Sequence, residues 1–237
     1  MSSSPSFHSN PAVSRAVERQ MRNWEIARAQ RGPAPSARPT VHDFIAISRA
    51  VGAGGGAIAA ALGERLGWPV FDQQILNVMA GDDESRKRVY ASMDERDLTW
   101  CEEVLRSLMG HEFKRNDYFH CLSRTILGLA RQGPAVFLGR GADMILPRDK
   151  GLRVRLVAPM RMCVANYAAR HNLSSERAEA AVRENEKNRS EFVRHHFHIA
   201  TDAPDRFDLV INLGTFSAEK TVELILAARG VMAARSE

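Results

Sequence analysis

An α/β fold around a five-stranded parallel sheet is what this sequence predicts beyond residue 42, and three observations carry it. Short apolar runs alternate with longer segments of helical period from His42 onward. The first of those runs passes directly into a glycine-rich loop and then into another helical segment. A chain of 237 residues, with 44% hydrophobic and 26% charged side chains, is globular rather than disordered or fibrous and can bury a sizeable core.

Five runs read as strands: residues 44–48, 69–72, 135–138, 153–158 and 207–213. Helical segments separate successive runs, as crossovers between parallel strands require. The longest insertion, 83–132, carries Leu98, Cys101, Val104, Leu105 and Leu108, then Phe119, Leu122, Ile126 and Leu129, and should supply at least two helices.

Residues 1–41 differ in character from 42–237. They hold six arginines (15, 19, 22, 28, 31 and 38) against Glu18 and Glu25, so they carry +4 of the net charge of +5. The serine- and proline-rich start (1–12) and the proline-rich stretch 32–39 should be extended or disordered. Between them, Val13, Val17, Met21 and Trp24 recur at helical spacing, an amphipathic helix in a flexible extension. The pattern leaves open whether it docks on this core, a partner or an anionic surface.

No apolar run approaches the roughly 20 residues of a spanning helix, and the first residues have no signal-peptide segment, so a cytoplasmic location is expected. The three cysteines, Cys101, Cys121 and Cys163, contain no C-x-x-C pair, which points to buried thiols rather than disulfides or zinc.

The informative segment runs from Phe44 through Arg49-Ala-Val-Gly-Ala-Gly-Gly-Gly-Ala57 into Ile58-Ala-Ala-Ala-Leu62. Glycines let successive backbone N–H groups turn inward, and the following helix adds free N–H groups and its positive dipole end. Arg49, Gly52, Ala53, Gly54, Gly55, Gly56 and Ala57 are therefore candidates for holding a polyphosphate. A tight turn that lets helix and sheet pack closely is the competing reading. Against G-x-x-x-x-G-K-[ST] the match is poor: Gly54 fits, but Arg49 stands at the first glycine, Gly55 replaces the lysine, and Ala57 cannot ligate Mg²⁺ as a serine or threonine would.

The stretch Ile47-Ser-Arg-Ala-Val-Gly-Ala-Gly-Gly-Gly-Ala-Ile58 resembles the opening of cytidylate kinase-like proteins. The likeness continues through Leu66-Gly-Trp-Pro-Val-Phe-Asp72, Gly139-Arg-Gly-Ala-Asp143, Leu152-Arg-Val-Arg-Leu-Val-Ala-Pro159 and Asp208-Leu-Val-Ile-Asn212. It implies a P-loop nucleoside monophosphate kinase fold with helices on both sheet faces, a donor site at the glycine loop, an acceptor site and a mobile lid. It further implies ATP as phosphoryl donor, Mg²⁺ bridging its phosphates, and CMP or dCMP as acceptor.

Under that resemblance, Arg140 matches the arginine of a G-R-D segment and is assigned to the acceptor phosphate, with Gly141 in place of the aspartate and Asp143 nearby. The segment 180–198 resembles the lid. It offers Arg189 as a second catalytic cation and Arg183 as a nucleotide contact, although mixed charge at this spacing also describes a solvated helix. Asp72, ending a strand at the ligand-binding side of a parallel sheet, is a substrate-binding candidate, and Asp208 a structural one. His195, His196 and His198 lack a second ligand cluster in sequence, so no protein metal site is expected.

Loss of both the lysine and the hydroxyl keeps a second class of function open, a nucleotide-binding regulator without catalysis. A nucleic-acid binder is not expected, because the body carries only about +1.

Overall fold

The computed structural model describes residues 11–29, 41–91, 93, 95–109, 118–197, 199 and 203–233. The start as far as residue 10 and the proline-rich stretch 32–39 lie outside these residues. The strands are β1 (Phe44–Arg49), β2 (Val70–Phe71), β3 (Ala135–Leu138), β4 (Leu152–Val157) and β5 (Leu209–Asn212). They form one sheet in the order β2-β3-β1-β4-β5, and every pairing is parallel. β1 is central: Ile47 stands opposite Leu138 of β3 and Val154 of β4.

β1 is apolar from Phe44 to Ile47, where both its faces are covered, the pattern expected of a parallel strand. Phe44 and Ala46 join a core with Phe71 and Phe137, while Ile45 and Ile47 join another with Val136, Leu138, Val154 and Leu156. Over the first face lie α1 (Pro11–Ala29), α3 (Gln73–Gly81), α4 (Asp83–Tyr90), α5 (Glu95–Met109), α6 (Tyr118–Gln132) and the short α7 (Ala142–Ile145). Over the second lie α2 (Gly55–Leu66), α8 (Met160–His171), the first part of α9 (Ser175–Phe197), whose Phe192 and Phe197 reach the first cluster, and α10 (Ala218–Ala233). Two strands are shorter than the sequence suggests. β2 keeps only two residues because Pro69 has no N–H to give and Asp72 leaves the ladder to cap α3.

The amphipathic helix of the extension docks on this core. Val17 and Met21 are buried in the first cluster, α1 packs on α3, and Glu25 pairs with Arg88 of α4 at 2.7 Å. The side chains of Val13 and Trp24 lie outside the description.

The corner between β3 and β4 is held from within. Arg153 is 1% exposed and donates from its guanidinium to the carbonyls of Asp143, Leu146, Pro147 and Lys150, while its side chain faces the Phe44 ring at 5.3 Å. Asp208 accepts from the Arg153 amide at 2.7 Å. Burial lowers the Arg153 pKa, with Asp208 opposing. Cys101 and Cys163 are buried free thiols, and burial pushes Cys101 up to about 12. Among the described residues, no helix is long and apolar enough to cross a membrane.

Candidate active site

A cavity of about 670 Å³ opens at the C-terminal ends of β1 and β3, where a parallel sheet places ligands. Its floor is the glycine loop. Ala50 N donates to Leu156 O and Ala53 N to Ala50 O, which fixes the turn after Arg49. Gly52 and Gly54 have φ of 80° and 90°, a region that favours glycine. α2 then begins with no side-chain cap. Within the described residues, the amides of Gly54, Gly55 and Gly56 donate to nothing, so three N–H groups and the dipole end of α2 are available to an anion.

The two readings of the loop apply to different glycines. A Cβ on Gly52 would stand 2.2 Å from the Cys163 carbonyl oxygen, so Gly52 serves close packing on α8. A Cβ on Gly54 or Gly56 would meet nothing within 4 Å, and both residues line the cavity. Gly56, like Ala57, offers no hydroxyl. Ala53, expected among the phosphate-holding residues, does not line the cavity: it is 2% exposed, packs in the second core, and its amide is already used.

Arg49 leaves the end of β1 and lies over Gly139, where an added Cβ would be 2.2 Å from its Nη1. Its pKa is lowered to about 10, first by burial, then by Arg189 and Arg140, with Asp72 and Glu186 opposing. It is still a cation at neutral pH, fixed beside the loop.

Arg140 sits between Gly139 and Gly141 in three successive left-handed residues, with φ of 82°, 55° and 70°. That reversal turns its side chain into the cavity, where Nε donates to Asn77 Oδ1 at 2.7 Å. Tyr118 Oη donates to the same oxygen at 2.5 Å, and Phe192 lies 5.8 Å from the guanidinium carbon. Burial lowers the Arg140 pKa. A side chain at Gly141 would be crowded, since a Cβ there would stand 2.8 Å from the Phe197 ring. Asp143 does not compensate, since it forms a buried pair with Arg206.

Arg189 reaches the cavity from α9, donating through Nη1 to the Arg49 carbonyl and lying 3.5 Å from Glu186 Oε1. Burial lowers its pKa, opposed by Glu186 and assisted by Arg155 and Arg140. Asp72 also lines the cavity, but its Oδ1 caps α3, accepting from Gln74 N and Ile75 N at 2.9 Å each.

Arg183 is placed elsewhere. Six residues before Arg189, roughly 120° round the helix, it is 63% exposed and pairs with Glu179. It does not line the cavity. His196 stacks on Phe119 at 4.2 Å with His195 against its edge, and His198 lies outside the described residues.

Sequence reasoning missed α8 and part of α9. Asn166 Nδ2 donates to Gly52 O at 2.9 Å, and the Tyr167 and His171 rings lie 4.2 Å apart on the cavity wall. Asn185 and Asn188 of α9 also line it, and Asn185 Nδ2 donates to Tyr167 Oη at 3.4 Å. The i, i+1, i+4, i+5 placing of Asn166, Tyr167, Arg170 and His171 was the available signal for a polar helix face. Glu186, whose Oε1 accepts from the Val51 amide of the loop, was also missed.

For Mg²⁺ the chain provides little. Among the described residues, no group of three His, Cys, Asp or Glu side chains could hold a metal ion, and Ser48 Oγ already accepts from Arg155 at 2.8 Å. Asp72 lines the cavity with one oxygen engaged by the α3 amides. That fits an ion carried mainly by nucleotide phosphates and water.

The model of the cytidylate kinase-like family matches residues 44–215. The chain belongs to this family. Its fold is shared with an uncharacterized protein from Eubacterium ventriosum, at TM-score 0.55 and 16% identity over 78% of this chain and 97% of that one. Lesser likenesses are to TT1252 from Thermus thermophilus (TM-score 0.43, 23% identity, 79% and 98% covered) and to a shikimate kinase from Bacteroides thetaiotaomicron (0.42, 12%, 78% and 96%). No curated protein matches the sequence. The family supports kinase activity in general.

Proposed function

We propose that this member of the cytidylate kinase-like family transfers a phosphoryl group from ATP to a nucleoside monophosphate, CMP or dCMP. The observation that carries this reading is the convergence of Arg49, Arg140 and Arg189, from β1, the β3–α7 turn and α9, on one cavity floored by the free amides of Gly54, Gly55 and Gly56. Phosphoryl transfer asks for little covalent help; it asks for positioning and for fixed positive charge.

The roles divide by geometry. The loop amides take donor phosphate oxygens. Arg49 supplies beside them the charge that Gly55 lacks, as a fixed planar fork rather than a flexible ammonium. Arg140, held by Asn77 on the β3 side, takes the acceptor phosphate. Arg189, on the helix over the loop, supplies charge to the group in transfer. Asp72 would hold Mg²⁺ with the nucleotide phosphates, and the ion would supply charge neutralisation.

A regulator that binds nucleotide without turnover is the second reading, favoured by the missing lysine and hydroxyl at Gly55, Gly56 and Ala57. A thermal-shift panel of ATP, GTP, CMP, dCMP, UMP and AMP with and without Mg²⁺, followed by an ADP-release assay, separates them. Turnover with CMP or dCMP supports the kinase; nucleotide-induced stabilisation without ADP supports the regulator.

A further inference from the structure

One carboxylate already lies against the front of the glycine loop, short of the free amides of Gly54, Gly55 and Gly56. Glu186, on α9, places Oε1 on the Val51 amide at the front of the glycine loop, and the Arg189 guanidinium lies against the same oxygen at 3.5 Å. The contact spans 135 residues of sequence, so it comes from tertiary packing and not from helix formation. Its surroundings are cationic: Arg49 and Arg189 both interact electrostatically with Glu186, and Arg140 with each of them. A backbone N–H of the loop with a guanidinium beside it is the donor set that a phosphate oxygen requires.

We infer that Glu186 is an internal stand-in for a phosphate, seated on the loop when the cavity holds no nucleotide and expelled when a polyphosphate enters. The inference rests on the reading of the loop as a polyphosphate site. A carboxylate and a phosphate oxygen cannot share one amide, and their like charges repel in a cavity where burial already weakens screening. Expelling Glu186 also detaches α9 from the loop at this contact. Arg189, now bonded to the Arg49 carbonyl, is then free to turn to the incoming phosphate. Entry of the donor thereby re-aims a cation on the helix over the loop, and α9 responds to polyphosphate rather than to the nucleoside.

A glutamine at 186 keeps the shape and a carbonyl acceptor for the Val51 amide but removes the charge, so the test is Glu186→Gln in the full chain. Inorganic tripolyphosphate, which has no base or sugar, is titrated calorimetrically into wild type, Glu186→Gln, Glu186→Ala and, as a charge control, Glu184→Gln on the exposed part of the same helix. Ligand-free melts check that each is folded. Tripolyphosphate should bind Glu186→Gln and Glu186→Ala at least about tenfold more tightly than wild type, and Glu184→Gln within about twofold of it. Equal or weaker binding by the folded Glu186 variants, or failure of both to fold, overturns the inference while leaving the phosphate loop in place. No binding by wild type or any variant overturns the loop reading, and this inference with it.

Discussion

Replacing Arg140 by alanine separates the acceptor side of the cavity from the donor side. The guanidinium is held on the acceptor side by Asn77 through a 2.7 Å bond from Nε, which leaves its outer nitrogens for a ligand. A charge-assisted hydrogen bond to phosphate is worth roughly 1.5–3 kcal/mol, which corresponds to about a ten- to 150-fold loss of CMP affinity. The fold should tolerate the change, because Asn77 Oδ1 keeps the Tyr118 hydroxyl and alanine at φ 55° is no more strained than arginine. Arg140→Gly removes the same charge and also relieves that strain, a gain of about 1 kcal/mol. Calorimetric titration with CMP and, separately, ATP gives the answer. Both variants should lose CMP binding alike while ATP affinity changes by less than about threefold. Equal losses for the two ligands, or unchanged CMP binding by a folded variant, would refute the assignment of Arg140 to the acceptor.

Further outcomes follow from burial and charge. Arg49→Met should raise the melting temperature of the ligand-free protein by roughly 2 °C or more while abolishing stabilisation by ATP, since burial penalises the cation that phosphate requires; a lower melting temperature would show that Arg49 is structural. Gly52→Ala should disturb the loop against Cys163 and weaken ATP binding at least about tenfold, whereas Gly56→Ala, with open space at its Cβ, should melt within about 2 °C of wild type. Met21→Ala should cost about 2–5 kcal/mol in urea unfolding, and deletion of residues 1–40 should lower stability further by uncovering the surface on α3; an unchanged midpoint in both would place α1 outside the core. Arg153→Ala strands four carbonyl acceptors and should leave little folded protein by circular dichroism.

What the sequence made legible was local. The β1–loop–α2 unit could be read because an apolar run, positive-φ glycines and a helix follow one another within 23 residues, 44 to 66. The strand positions followed from apolar runs buried on both faces. Side-chain direction at long range was not legible. Arg183 and Arg189 look equivalent in a mixed-charge run, and only the packing of α9 turns one into the cavity and the other to solvent. Asp72 looked like a free carboxylate because the start of α3, which takes one of its oxygens, is not marked by any strong apolar period. Asp143 lies beside Arg140 in sequence yet is consumed by Arg206, 63 residues away. Glu186 looked like a solvated helix charge, since nothing near it in sequence announces the Val51 amide. The helical period of the extension was legible but not what it covers: Val17 and Met21 complete a hydrophobic cluster whose other buried members come from 41 to 146.

The most direct test of the account is ADP release from ATP by the purified full-length chain with Mg²⁺, measured with each nucleoside monophosphate in turn and with none. The account predicts release that depends on CMP or dCMP and is lost in Arg49→Met and Arg140→Ala. ATP binding without release for any monophosphate would contradict it and leave a nucleotide-binding protein that does not turn over.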